Sequence, residues 1–374
     1  MKKHTILFIY GTRPEAVKMA PLVRAFLLCP DSFNVQVCIT GQHREMLDQI
    51  NTFFGITADY DLNLMSPNQT LFDITSRCLV GLKNVLEKTN PHLIFVQGDT
   101  TSVMAGALAG FYKQIPVAHL EAGLRSGNKY SPYPEEINRI IAGHIADYHF
   151  APTNQAVENL KKEGITDHVY MVGNTVIDAL HLGLQIIRAE GEQKYKHFFS
   201  FLNFSRKIIL ITGHRRESFG GGFESICNAI AHIAKAYNDT QFVYPMHFNP
   251  NVREPVNRIL KDIKNVFLIE PLDYPYLIWL MEKCFFVLTD SGGIQEEAPA
   301  LGKPVLVMRE VTERQEGVDA GTAKLVGTQF ENLVSSMKEL FDNNSVYSRM
   351  ANAINPYGDG NTSKLIVEIL KRKF

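Results

Sequence analysis

Acids, histidines and arginines in this chain gather at the downstream ends of short apolar runs. The first such place is GTRPEAVKMAPL, which follows ILFIY and sets Arg13 and Lys18 at the opening of a helix with Pro14 at its first position. Proline suits that position because its missing N–H would find no helical partner anyway. A helix start carries partial positive charge and free N–H groups, so with Arg13 and Lys18 it can hold an anion such as phosphate. The competing reading is an ordinary capped helix with Lys18 in solvent. LIFVQGDTTS puts Asp99 just past a strand, either as an N-cap or as an acid–base group. VAHLEAGLRSG ends a buried run in His119 and Glu121, where an unpaired carboxylate is costly and needs a partner. Its H-x-E spacing also occurs in zinc deaminases, but their P-C-x-x-C partner is missing. SPYPEEINRIIAGHIADY reads as a helix from Pro134, with Glu135 in the first turn as a dipole-complementing charge or a site acid. His144 shares a face with Ile137, Ile140, Ile141 and Ile145, which predicts a core histidine.

The second half repeats the pattern. IILITGHRRESFGGG ends a strand in His214, Arg215, Arg216 and Glu217. VLTDSGGIQEEAPALGKPVLV runs strand, Ser-Gly-Gly, helix, strand, with Glu296 and Glu297 in the helix. Ser291, Gly292 and Gly293 offer small side chains and N–H groups at a helix start, a cradle for a pyrophosphate. Arg314, in EVTERQEG, adds charge. One polar strand end is ordinary. Several in one chain outline a cleft between two domains, with acids mostly from the first and phosphate-binding groups mostly from the second.

The elements that must position these residues follow from the apolar runs. TILFIY, VQVCIT, LIFVQ, PVAHL and VYMV lie in the first half, and KIILIT, QFVYP, VFLI, FFVLT and PVLVM in the second. Continuous rather than alternating apolar runs mark strands buried on both faces, hence parallel sheets. Helix-like segments between them predict a doubly wound α/β fold, built twice. In such folds ligands bind at the carboxyl ends of the strands, where the polar residues fall. Pro21 predicts a kink in the first helix, and Arg188 to Lys207, the least patterned stretch, predicts part of a domain junction. The tail SKLIVEILKRKF reads as an amphipathic helix.

A length of 374 residues exceeds one ordinary core at about 150 residues per domain. A net charge of -1 points to neither nucleic acid nor an anionic membrane as partner. Five scattered cysteines without a CxxC pair fit a reducing cytoplasm rather than a disulfide framework or a structural zinc. The opening apolar run is too short for a signal peptide, and no stretch approaches the roughly 18 apolar residues of a membrane span.

Together GTRPEAVKMAPL, GDTTS, HLEAGLRS, YPEEINR, GHRRES and SGGIQEEAPALGKPVLVMR resemble the non-hydrolysing UDP-N-acetylglucosamine 2-epimerases, in the right order over most of the chain. The resemblance implies a GT-B-like fold of two Rossmann-like, doubly wound domains with an interdomain active-site cleft. The domains would be residues 1–172 and 173–359, with a C-terminal helix over 360–374 returning to the first. It implies a cytoplasmic homodimer using no metal and no nicotinamide or other cofactor. The activity would interconvert UDP-GlcNAc and UDP-ManNAc, supplying ManNAc-type sugars for bacterial surface polysaccharide. By motif, Asp99, Glu121, Glu135 and His214 correspond to the catalytic residues, and Arg13, Lys18, Ser291, Gly292, Gly293, Glu297 and Arg314 to the UDP-sugar contacts. GQHREM matches an activator-binding stretch of some relatives at Gln42, His43 and Arg44, with Glu45 where activated members carry glutamine. The rival expectations are a hydrolysing relative releasing ManNAc and UDP, a GT-B glycosyltransferase, a non-enzymatic UDP-sugar sensor, and a metallohydrolase using Asp99, His119, Glu121 and His214.

Overall fold

The structure, a computed structural model, describes residues 3–41, 44–66 and 68–374. The chain divides into two compact units, residues 1–182 with 357–374, and residues 183–356. The division falls inside a single helix, Thr175–Glu190.

The first unit holds strands β1 (His4–Tyr10), β2 (Phe33–Ile39), β3 (Tyr60–Asp61), β4 (Leu93–Gln97), β5 (Val117–Leu120), β6 (Tyr148–Ala151) and β7 (Val169–Met171). They form one parallel sheet in the order β3-β2-β1-β4-β5-β6-β7. Apolar side chains face both ways from the central strands, so each face needs a helical cover. On one face Phe8 stacks on Phe95 at 5.0 Å between ring centres, and Phe95 on Phe150 at 5.9 Å. On the other, Leu7, Ile9, Ile94 and Val96 pack with Leu82, Val103 and Ala107 from the helices Leu71–Thr89 and Thr101–Tyr112. The order reverses between β1 and β4, and such a switch point opens a crevice at the strands' carboxyl ends.

The last helix, Thr362–Lys371, packs against Arg13–Leu27 in this unit. Buried Asp178 receives the N–H groups of Thr362 (3.3 Å) and Ser363 (2.7 Å). The helix Arg13–Leu27 runs on through Pro21, whose missing N–H is the helix's local cost.

The second unit holds β8 (Ile208–Thr212), β9 (Gln241–Pro245), β10 (Val266–Ile269), β11 (Phe286–Thr289), β12 (Val305–Val307) and β13 (Ala323–Leu325). Its parallel order, β10-β9-β8-β11-β12-β13, puts the switch point between β8 and β11. The stretch 188–207 supplies Tyr195 and Phe199 to this unit's interior. Phe199 lies flat on Trp279 at 5.4 Å and 7°.

Candidate active site

In the first unit the residues after β1, β4 and β5 come together at the switch point. Gly11 is there because nothing larger fits. A Cβ would lie 1.9 Å from Thr40 Oγ1 and 2.8 Å from Ser102 Oγ. Glu15, 2% exposed, folds back over the helix start and accepts from the N–H of Gly11 at 2.6 Å and of Thr12 at 2.8 Å. Its other oxygen accepts the Thr100 hydroxyl, tying the β1 and β4 loops. Burial pushes Glu15 up from the ordinary carboxylate range, against the pull of these donors. The N–H groups that the sequence offered to an outside anion at this helix are thus shared with an internal carboxylate. Arg13, half-buried at the helix's first position, has no side-chain partner among the described residues.

Lys18 is not in solvent. Its Nζ donates to Glu121 Oε1 at 2.5 Å. Gln97, the last residue of β4, donates to Glu121 Oε2 at 2.5 Å, and Asn174 donates to Oε1 at 3.1 Å. The Glu121 side chain is 6% exposed and its backbone sits at φ 65°, in the left-handed region. For a residue with a Cβ that conformation costs roughly 1–2 kcal/mol, and such strain persists where surrounding contacts over-determine it. A buried acid thus finds the partners that burial demands, and all are polar side chains at the sheet's ligand-binding end.

Asp99 receives the Arg139 guanidinium. It does not cap the following helix. Thr100 does, accepting the N–H of Val103 at 3.4 Å. Arg139 also reaches Glu136 at 3.4 Å, and buried Glu136 accepts from the N–H of Ser126 and of Gly127, each at 3.0 Å. Glu135 opens the helix Glu135–Ile145, partly exposed and with no side-chain partner among the described residues. His119 is fully buried and bonds the Gly98 carbonyl at 2.8 Å. A carbonyl only accepts, so Nε2 carries the proton, and burial pushes the imidazole down to about 4.

In the second unit β11 pairs with β8 so that Thr289 lies opposite Thr212, their hydroxyls bonded at 2.6 Å. This register sets the next residue, Asp290, beside Gly213 to Arg215. Asp290 Oδ2 accepts from the N–H of His214 and of Arg215, both at 2.7 Å. The His214 ring stacks on His247 at 5.1 Å and 13°. Burial draws His214 below its ordinary range, Asp290 opposes this, and His247 and Arg215 reinforce it. Ser291 stands at the N-cap of Gly292–Ala300 without a side-chain cap bond. The Arg314 guanidinium lies over Gly292, its central carbon 3.5 Å from where a Cβ would be, and Nε donates to Glu296 at 2.7 Å. Glu297 accepts the Tyr274 hydroxyl at 3.0 Å and lies beside Gly293.

The structure therefore places Arg13, Lys18, Asp99 and Glu121 on the carboxyl side of the first sheet, with Glu135 opening the helix whose Asn138 and Arg139 reach Asp99, and His214, Ser291, Gly292, Gly293, Glu297 and Arg314 on that of the second. Gln42 and His43 lie outside the described residues, and Arg44 opens the helix Arg44–Phe54. His144 is not a core residue. Its side chain is 51% exposed, and the helix buries Glu136, Asn138, Ala142 and Gly143 instead of the isoleucine stripe. The polar residues win that face because Glu136 and Asn138 find bonds there that satisfy them. Glu15, Gln97, Arg139, Asn174, Tyr274 and Asp290 were not singled out from sequence. The rule that selected Asp99, a carboxylate just past the end of a strand, also fits Asp290.

Among the described residues no three His, Cys, Asp or Glu side chains come together as a metal site. None of the described helices is long and apolar enough to cross a membrane.

Two parallel sheets, each turned at a switch point, with acids at one and an anion cradle at the other, define the class as GT-B-like. A glycotransferase of kitacinnamycin, 12% identical, shares this fold with a TM-score of 0.64 over all of both chains. The chain belongs to the UDP-N-acetylglucosamine 2-epimerase family, whose profile matches residues 29–371. It is 53% identical to the UDP-N-acetylglucosamine 2-epimerase of Yersinia pestis and 52% to that of Escherichia coli K12, each over 98% of both chains. The crystal structure of the Neisseria meningitidis enzyme bound to UDP-GlcNAc matches with a TM-score of 0.91 at 49% identity, covering 98% of this chain and all of that one. The Methanocaldococcus jannaschii enzyme in complex with UDP-GlcNAc and UDP matches at 0.80 and 34%, covering 98% of this chain and 99% of that one.

Proposed function

We propose that this chain is an isomerase that interconverts UDP-GlcNAc and UDP-ManNAc without releasing the free sugar. The observation that carries the reading is Glu121. It is a buried carboxylate, held at a strained backbone position by Lys18, Gln97 and Asn174, at the end of the sheet where ligands bind. A paired, buried carboxylate kept at a strained backbone position where ligands bind supports acid–base chemistry.

A sugar C2 proton is not acidic. If the C1–O bond to UDP breaks first or together with it, C1 gains oxocarbenium character and the C2 proton becomes removable. The products are a 2-acetamidoglucal and UDP, and re-addition of UDP with protonation on the other face of C2 gives the epimer. Asp99, Glu121 and Glu135 are the acids and bases of these transfers, each contributing roughly 10²–10⁴-fold. Arg13, His214, Arg314 and the N–H groups of Gly292 and Gly293 stabilise the leaving diphosphate. Glu297, braced by Tyr274, accepts from the ribose hydroxyls. Lys18, which the sequence reading gave to the substrate, acts here through Glu121.

Proton NMR with UDP-GlcNAc in D₂O containing EDTA tests this. UDP-ManNAc appearing with deuterium at C2 of both epimers is the expected result. Free ManNAc with UDP makes the chain a hydrolase of the same intermediate. Glu121→Gln is expected to lose roughly 10²–10⁴-fold in turnover while still binding UDP.

We also propose a homodimer. Val80, Phe111 and Tyr112 are exposed where Leu71–Thr89 and Thr101–Tyr112 pack side by side, and exposed apolar residues so grouped favour a partner. Light scattering on the eluted protein checks the mass.

A further inference from the structure

Asp290 Oδ1 is the unusual atom of the second unit. The side chain is 2% exposed, and Oδ2 is fixed by two backbone N–H groups, yet Oδ1 is buried with no hydrogen-bond partner among the described residues. A buried, unmet carboxylate oxygen is expensive to keep. His214 Nδ1 lies 3.7 Å from it, on a ring whose side chain is 45% exposed. With Oδ2 held by two backbone N–H groups, a turn of the His214 ring is the movement that would close this bond.

We propose that Asp290 is a positioning residue. It holds His214 through Nδ1 and makes Nε2 a proton-accepting anchor for the diphosphate of a nucleotide sugar. The inference rests on the reading that the substrate's diphosphate meets His214. A carboxylate only accepts, so it fixes the proton on Nδ1 and leaves Nε2 as the lone-pair nitrogen in the free protein. When a diphosphate arrives, the ring lies between two anions, takes up a proton at Nε2 and donates to the phosphate oxygen. The proton comes from solvent and returns there when the nucleotide leaves. Among the described residues, the other charged or titratable groups acting on the ring are His247, stacked on it from the segment after β9, and Arg215 beside it. Both disfavour the imidazolium of the free protein, so the switch waits for the anion.

Two measurements test this. In the parent protein labelled with ¹⁵N-histidine, His214, assigned with His214→Gln, is expected as the Nδ1–H tautomer at neutral pH. An Nε2–H tautomer overturns the proposal without any variant having to fold. Calorimetric titration of UDP in buffers of differing ionisation enthalpy is expected to show uptake approaching one proton near neutral pH. Asp290→Asn should lose most of that uptake, lower the His214 titration, and reduce kcat about 10–100-fold, the loss seen when a metal-bound histidine loses its carboxylate partner. Equal uptake and equal kcat in a folded Asp290→Asn overturn it. If UDP does not bind the parent, the nucleotide-sugar reading fails, and the tautomer still decides whether Asp290 orients His214.

Discussion

Each unit has a buried carboxylate that braces the loop at its switch point, and the two are used differently. Glu15 and Asp290 both place a single oxygen on two successive backbone N–H groups of the loop after the first strand of the crossing, Gly11 and Thr12 in one, His214 and Arg215 in the other. In the first unit the remaining oxygen is met by the Thr100 hydroxyl. In the second it is left open towards an imidazole. A hydroxyl can reverse its role from donor to acceptor by rotating, but an imidazole can reverse only by moving a proton to its other nitrogen. The same local device therefore serves as a structural tie in one unit and as a way of setting a proton in the other.

Matched substitutions sharpen or break this contrast. The largest effect is expected from Asp290→Asn, whose amide would face Nδ1 with a donor and force the proton to Nε2. Activity should fall about 10–100-fold with little change in the thermal midpoint. Glu15→Ala comes next. It strands two buried N–H groups and a hydroxyl, and should cost roughly 2–4 kcal/mol of stability by calorimetry.

A pH effect of similar size is expected from His119, pushed by burial to about 4 when folded. A histidine depressed on folding binds more protons when unfolded, so stability falls as pH drops from about 6.5 towards 4, by about 2 kcal/mol at pH 5. Replacing His119 with Asn should flatten that part of a midpoint-versus-pH curve. Glu15 works with the opposite sign. Its folded value is raised, so its contribution is complete at low pH and is lost as pH rises through that raised value.

The smallest effect is expected from Glu15→Gln. Its oxygen keeps both N–H groups, Thr100 rotates to accept from the new amide, and stability should stay within about 1 kcal/mol with turnover near parental. Loss of turnover in Glu15→Gln without loss of stability would show that the two carboxylates are not different after all.

Much of the fold was legible in the sequence. LIFVQ and FFVLT were read as strands because a strand buried on both faces is an unbroken apolar run. YHFA and AKL were not, because a tyrosine, a histidine and a lysine interrupt runs of three or four residues. His144 departs from its expected burial for a related reason. A helical apolar stripe shows which face is able to be buried, but buried polar residues with good partners, here Glu136 and Asn138, can take the inner side. The candidate acids and the Ser-Gly-Gly turn were found because strand ends are visible as composition changes. Their partners were not, since Gln97 merely closes an apolar strand and Asn174 lies 53 positions from the Glu121 it holds.

Residue order alone determined that this chain alternates strands and helices and that its charged residues fall at strand ends. Those properties depend on neighbours a few positions apart, through side-chain periodicity and the chemistry of helix starts. Tertiary structure decided which charges meet. It gave Lys18 to Glu121, turned Asp99 from a possible cap to a partner of Arg139, filled one switch-point carboxylate and left the other open. An ion pair or buried hydrogen bond acts over a few ångströms in space, and the distance along the chain between its members carries almost no information about it.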